Sequence, residues 1–274
     1  MATKKAVSKS AKTTTKKPTT IKKSTTVKSR AAVVSPKIGL FNPPFAKKPI
    51  YSALIAEFIG TFLLAAAIVT QQGNPLVVLF SVAGIVLLFG AISGSHLNPA
   101  VSVGAWATRR ISGLRALAYI VVQFIAAGLA FLLLNVFVGG AAPVSPEAQS
   151  FGQSAVSLFH ATALPAGKEW YVFFAELIGA TIIGFVWATA LGFKRDRVAS
   201  SLTIGFGIFT ALIIAVSAAS YVSGSSILNP AAALSLQALK WELWPLAVYI
   251  LAPIIGGVLG FIIYDAVKTG SDNE

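Results

Sequence analysis

From Tyr51 onward the chain alternates long apolar runs with short polar breaks, whereas residues 1–36 hold little but Lys, Thr, Ser, Ala and scattered Pro. The runs fall at about 51–71, 76–93, 114–138, 168–193, 200–221 and 244–267. A helix rises ~1.5 Å per residue and the hydrocarbon core of a bilayer is ~30 Å thick, so ~20 residues suffice to cross it. All six runs reach or approach that length, the second being the shortest. None shows the period-two alternation of a membrane β-strand. The pattern predicts six transmembrane helices.

Two further apolar stretches, 97–108 and 227–239, are too short to span. Each offers roughly ten helical residues, about 15 Å or half a bilayer. Each carries the same tripeptide at its start, Asn98-Pro99-Ala100 and Asn229-Pro230-Ala231. Asn is a favoured N-cap, and Pro at the first helical position has no amide hydrogen to leave unpaired. Both stretches read as half-helices that begin abruptly in an apolar setting.

The two halves of the chain resemble each other. Ala56-Glu57-Phe58-Ile59-Gly60-Thr61 matches Ala175-Glu176-Leu177-Ile178-Gly179-Ala180, and Ser93-Gly94-Ser95-His96-Leu97 leads into the first Asn-Pro-Ala as Ser223-Gly224-Ser225-Ser226-Ile227-Leu228 leads into the second. Each half is a span carrying Glu, a second span, a half-helix and a third span. Three crossings per repeat is an odd number, so the second copy inserts upside down. The half-helices then enter from opposite faces, and their N-termini meet near the midplane. The fold class expected is an all-α membrane protein, six transmembrane helices plus two half-helices in an inverted 3+3 repeat. Facing discontinuous helices at a repeat interface mark a transport site, because non-helical backbone at that depth is tolerated only where it is buried or lines a wet cavity.

Charge divides the chain into domains. Residues 1–48 hold 13 of the 22 Lys and Arg and no acid, so the net charge of +13 and the pI near 10.1 describe a tail. The expected boundaries are a disordered basic tail over 1–48, a channel domain over 49–268 (repeat one about 50–138, repeat two about 168–267) and a short C-terminal tail over 269–274. The tail cannot bury enough apolar area to fold. It is either a solvated extension that helps fix topology or an attractor of anionic lipid or nucleic acid. The tail, Arg109, Arg110, Arg115, Lys194, Arg195, Arg197 and Lys268 fall on one side of the predicted topology, against Lys168 and Lys240 on the other. The positive-inside rule puts both termini in the cytoplasm of a multi-pass protein. With 55% apolar and 11% charged residues the body could hardly cover a water-facing surface.

Cysteine is absent and there are two histidines, which excludes disulfides, thiolate metal sites and a His-based metal centre. No nucleophile–base set or phosphate loop appears, so neither an enzyme nor a cofactor is expected. At the midplane two helix N-termini would each place about half a positive charge, which repels cations and protons. The Asn98 and Asn229 amides offer donors to a passing oxygen. The arrangement suits water or a small polyol.

Glu57 and Glu176 lie inside apolar helices. They could relay protons, or each could accept hydrogen bonds from the backbone of its own half-helix loop. His96 could titrate as a gate or tie its loop. Gly128, Gly256, Gly257 and Gly260 permit close helix approach. Trp170, Tyr171, Trp241 and Trp244 read as interfacial anchors. His160, in the long 139–167 loop, carries no assignment.

On the duplicated Asn-Pro-Ala, each after Ser-Gly, together with the Ala56–Thr61 segment, Tyr119, Gln123 and Pro253-Ile254-Ile255-Gly256-Gly257, the chain resembles the aquaporin and glycerol-facilitator family over about residues 50–267. The resemblance implies a passive channel, one pore per subunit and a homotetramer, expected in the plasma membrane. It implies a structural role for Glu57 and Glu176, beside the loop-tying role read for His96. In most of the family an Arg follows the second Asn-Pro-Ala and forms the outer constriction; here Ala232 stands there, and Ala233 replaces the Asp of glycerol facilitators. Counting without gaps puts the other constriction positions at Val78, Ser217 and Ser226. A ring this small and uncharged favours solutes larger than water and lowers the barrier to cations. Two alternatives stay open: an ion-permeable or proton-coupled transporter on the same scaffold, and a closed membrane scaffold in which the tail does the work.

Overall fold

The computed structural model describes residues 50–193 and 196–271. The basic segment 1–48 and Lys194 and Arg195 lie outside them, so neither the expected disorder nor that part of the charge argument is addressed by the structure. Six helices among the described residues are long and apolar enough to cross a membrane. They are α1 (Ile50–Thr70), α2 (Pro75–Ser93), α4 (Gly113–Gly139), α6 (Glu169–Ala190), α7 (Arg197–Ser220) and a last span, Leu243–Lys268, built from α9 (Leu243–Leu246), a π-helical turn (Ala247–Leu251) and α10 (Ala252–Ser271). The half-helices are α3 (Pro99–Ala107) and α8 (Pro230–Ser235), and a short α5 (Pro146–Ser150) interrupts the long loop. The described residues contain no strand.

Local sequence accounts for the ends. Asn74 caps α2, its side chain accepting from Leu76 N at 2.9 Å ahead of Pro75. Gly94, at φ 93°, closes α2 with its N–H on Gly90 O at 3.0 Å. The π-turn lies just before Pro253, which has no N–H to continue an α-helical ladder. Neither α5 nor this turn was expected from hydropathy, although Ser145 before Pro146 is an N-cap signal and accepts from Ala148 N at 3.2 Å. α10 runs to Ser271, into the segment expected to be a C-terminal tail. Lys268 in its last turn complements the helix dipole.

Packing follows the repeat. α1 packs on α2 and α4 as α6 packs on α7 and α10, and α2 meets α7 across the repeat boundary. The half-helices cross over: α3 of repeat one lies on α10, and α8 of repeat two lies on α4. Contact between α6 and α10 needs glycine, since a Cβ on Gly260 would stand 2.1 Å from Thr181 O and one on Gly184 2.2 Å from Gly257 O. The outward faces remain apolar, with Leu132, Val136 and Phe206 more than half exposed. Apolar exposure on that scale is what lipid, rather than water, covers.

Two faces follow from this topology. One, here the Ile50 face, holds the start of α1, the 108–112 turn, the end of α6 and the start of α7. Arg110 there forms a two-pronged ion pair with Asp265 of α10, at 3.1 and 2.6 Å. The other, the loop face, holds the 71–74 turn and the 140–168 segment, whose Phe159 N donates to Val69 O at 3.3 Å and Ala161 N to Leu236 O at 3.0 Å.

Candidate permeation site

The site begins with two buried carboxylates. Glu57 Oε1 accepts from His96 N and Oε2 from Leu97 N, both at 2.8 Å, with Gln123 Nε2 adding a third bond at 2.9 Å. Glu176 accepts from Leu228 N and Ser226 Oγ, each at 2.9 Å, and from Ile227 N. These loop amides belong to no helix, and an unpartnered N–H at bilayer depth is costly. Each acid therefore holds its own loop in a turn that local sequence alone would not keep. His96 does the same from its side chain, with Nδ1 3.1 Å from Ser102 Oγ and its ring edge-on to Tyr119 at 5.2 Å.

The held turns place Leu97 at φ 55° and Leu228 at φ 62°, a left-handed conformation that a leucine seldom adopts. Both are fully buried, each over a glycine of the Glu-bearing helix. A Cβ on Gly60 would lie 2.6 Å from Leu97 Cδ2, and one on Gly179 2.5 Å from Leu228 Cδ2. This conformation turns each leucine carbonyl towards the opposite repeat. Asn98 Nδ2 donates to Leu228 O, and Asn229 Nδ2 donates to Leu97 O, both at 2.9 Å. Each Asn also caps its own half-helix, Asn98 Oδ1 accepting from Ala100 N at 2.9 Å and Asn229 Oδ1 from Ala231 N at 3.0 Å and Ala232 N at 3.4 Å.

The structure thus brings Asn98 and Asn229 together across the repeat interface, on the wall of one cavity of about 160 Å³. A primary amide has two N–H groups, so each Asn keeps one after its bond to the facing leucine. Most of the remaining wall is apolar, Leu64, Ile68, Val82, Ile183, Ile208 and Leu212 among it. Towards the loop face the cavity opens past Gln72, Gly73, Phe159 and Gly224. Pro99, Ala100, Pro230 and Ala231 are buried behind the pair as the first turns of the half-helices.

The constriction positions fare unequally. Val78 and Ser226 line this cavity; Ser217 does not. The wall there is Val216, one residue earlier, while Ser217 is exposed. A one-residue offset turns a helix by 100°, so gapless counting along an apolar α7 lands beside the lumen. Ala232 is buried behind the mouth rather than on the wall. The second half-helix is also shorter than expected, six residues ending at Ser235. It ends with Gln237 in the left-handed conformation, at φ 54°, and Leu236 O accepts from Ala161 N of the long loop.

Sequence reasoning missed the leucine carbonyls as acceptors for the asparagines, and the 157–162 segment as part of the mouth. Thr162 N donates to Ser225 Oγ at 3.0 Å, tying that segment to the second half-helix loop. His160 stacks edge-on against Phe131 at 6.0 Å.

A family model described as major intrinsic protein matches residues 45–264. The sequence is similar to aquaporin AqpM of Methanothermobacter marburgensis, 29% identical over 252 residues covering 77% of this chain and 94% of that protein. It is also similar to aquaporin NIP3-1 of Zea mays, 32% identical over 232 residues covering 80% of this chain and 70% of that protein. In fold it resembles the X-ray structure of the aquaglyceroporin from Plasmodium falciparum, with a TM-score of 0.62 at 20% identity, covering 82% of this chain and 99% of that one.

Proposed function

The chain belongs to the major intrinsic protein family, whose members are channels rather than enzymes, and from that premise we propose that it passes water and other small neutral solutes (glycerol, urea or ammonia) down their gradients while turning ions away. One observation carries this reading: Asn98 and Asn229 stand side by side on one cavity wall, each held by the other repeat's leucine carbonyl. A solute entering the narrow, largely apolar cavity loses hydration and regains hydrogen bonds chiefly at this pair. A neutral molecule with an oxygen acceptor crosses on that exchange. A cation meets two half-helix N-termini, whose first-turn amides present positive partial charge, and regains no carboxylate there. Glu57 and Glu176 face their loops rather than the cavity, which speaks against a proton relay through them.

The mouth supports a spectrum wider than water. Val78, Val216 and Ser226 carry no charge, and Ala232 leaves the adjoining position without a long side chain. In this reading both termini are cytoplasmic, the protein sits in the plasma membrane as a homotetramer with a pore in each subunit, and the basic tail contacts anionic lipid or nucleic acid.

The test is stopped-flow light scattering on proteoliposomes with water, glycerol, urea and ammonia, run on the native chain and on Ala232→Arg. The native chain should pass water and at least one larger solute above protein-free vesicles. Arg at the mouth should cut the larger solute by about tenfold or more while water falls less, as a fixed side chain narrows the opening. A native chain that passes water alone overturns the wide-mouth reading. A voltage-dependent current in planar bilayers carrying the native chain overturns ion exclusion.

A further inference from the structure

Two cavities lie along the candidate path. A second cavity, about 500 Å³, opens on the Ile50 side of the first. Three helices line both cavities at helical spacing. On α2 the lumen-facing stripe passes from Val82 in the first cavity to Val86 in the second, and on α7 from Ile208 to Ile204. On α6 it passes from Ile183 in the first to Leu191 in the second, and the residue midway, Trp187, lines both. Residues four apart share a helix face, so Trp187 stands where the other two helices offer only Val and Ile. Its ring borders both spaces.

The side chain is 2% exposed, and its Nε1–H has no hydrogen-bond partner. Buried indole N–H groups usually find an acceptor, and this one has none within hydrogen-bond distance. Thr61, Ser95 and Gln123 also carry an unpartnered buried atom among the described residues, but none of them lines either cavity.

We propose that Trp187 is a second, specificity-determining constriction, whose ring sets the size limit and whose Nε1–H donates to the oxygen or nitrogen acceptor of a neutral molecule passing between the cavities. This rests on the channel reading above and deepens it. With an uncharged outer mouth, the narrowest discriminating point shifts to the Ile50 half of the path. Selection there is by width and by the presence of an acceptor, without a fixed charge.

The experiment compares native chain, Trp187→Ala and Trp187→Phe in proteoliposomes, with flux normalised to reconstituted protein, for water, glycerol and a four-carbon polyol. Trp187→Ala joins the cavities, so glycerol flux should rise by about tenfold and the four-carbon polyol should begin to pass, as one steep desolvation step is relieved. Trp187→Phe keeps an aromatic ring and removes the donor. It should leave the polyol excluded and slow water and glycerol by about fivefold, the effect of one lost hydrogen bond. Unchanged size selection in Trp187→Ala overturns the constriction. Native-like flux in Trp187→Phe overturns the donor role, and this conservative variant serves if Trp187→Ala fails to fold. Native vesicles no leakier than protein-free ones would count against the channel reading itself. In that case conduction by Trp187→Ala would still support a block at this ring, and silence in both would overturn it.

Discussion

The two half-helix loops do the same job with different parts. In repeat one, Glu57 takes two backbone amides and a side-chain amide from Gln123, which in turn donates to Ser102 Oγ at 3.2 Å. His96 and Tyr119 extend that network, and the loop is buried from Ser95 to Asn98. In repeat two, Pro253 replaces the helix position of Gln123, and Glu176 takes its third bond from Ser226, a residue that also lines the cavity. The first loop's carboxylate thus takes its third bond from a neighbouring span, through Gln123 of α4, whereas the second takes it from Ser226 of its own loop. Duplication preserved the backbone amides to be satisfied and left the manner of bracing free to diverge. The second loop took the role of mouth as well as scaffold.

The largest effect should come from removing one acceptor oxygen on each side. In Glu57→Gln or Glu176→Gln the new amide must face a backbone N–H whichever way it turns. Each variant should lose about 3 kcal/mol, the cost of an unsatisfied buried donor formerly bonded to a carboxylate. Thermal melting in detergent and the yield of assembled protein read this out, while flux per folded channel should persist. If one variant is silent and its counterpart unfolds, the two acids are not equivalent braces. Normal yield with lost flux would instead revive proton transfer through a carboxylate.

How much of this was legible in the sequence follows from which interactions are local. The six spans show because a bilayer imposes a length on apolar runs, and the half-helices show because Asn-Pro-Ala is both cap and first turn within three residues. The rotation of α7 about its axis did not show. Both its lipid side and its lumen side are apolar, so nothing in the pattern separates Val216 from Ser217. The end of α8 was hidden for another reason: it falls at Gln237 in a left-handed conformation, which neither glycine nor asparagine marks in the sequence. Trp187 carries no local signal either: a tryptophan near a span end also suits an interfacial anchor, and only packing buries this one.

Gly60 and Gly179 sharpen the comparison at the next level down. A methyl on Gly60 would meet Leu97 Cδ2 at 2.6 Å and Ile85 Cγ2 at 3.0 Å, both ends of side chains that can shift. On Gly179 it would meet both Leu228 Cδ atoms, at 2.5 and 2.7 Å, and Ala215 Cβ at 2.9 Å, which has no rotamer to change. Gly179→Ala should therefore destabilise by about 2 kcal/mol, and Gly60→Ala by about half as much, as overpacking scales with how little the neighbours yield. Displaced Leu228 would also carry its carbonyl away from Asn98, so Gly179→Ala should reduce water flux per folded channel. Equal melting shifts for the two variants would mean that both loops yield alike.

The smallest difference should lie in the tyrosines that close each loop. Tyr119 donates its hydroxyl to Ser93 O at 2.8 Å, and Tyr249, its counterpart in repeat two, donates to Ser225 O at 3.2 Å. Ser225 lines the cavity mouth, so water can replace the lost donor there; Ser93 is buried and lines neither large cavity. A buried acceptor left without a partner costs more than one that solvent reaches. Tyr119→Phe should thus lower stability by about 1 kcal/mol and Tyr249→Phe by about half that. Both rings remain in place, so flux through either variant should match the native chain. If Tyr249→Phe proves the more damaging of the two, the second loop depends on its rear bracing as much as the first, and its separation into mouth and scaffold would not stand.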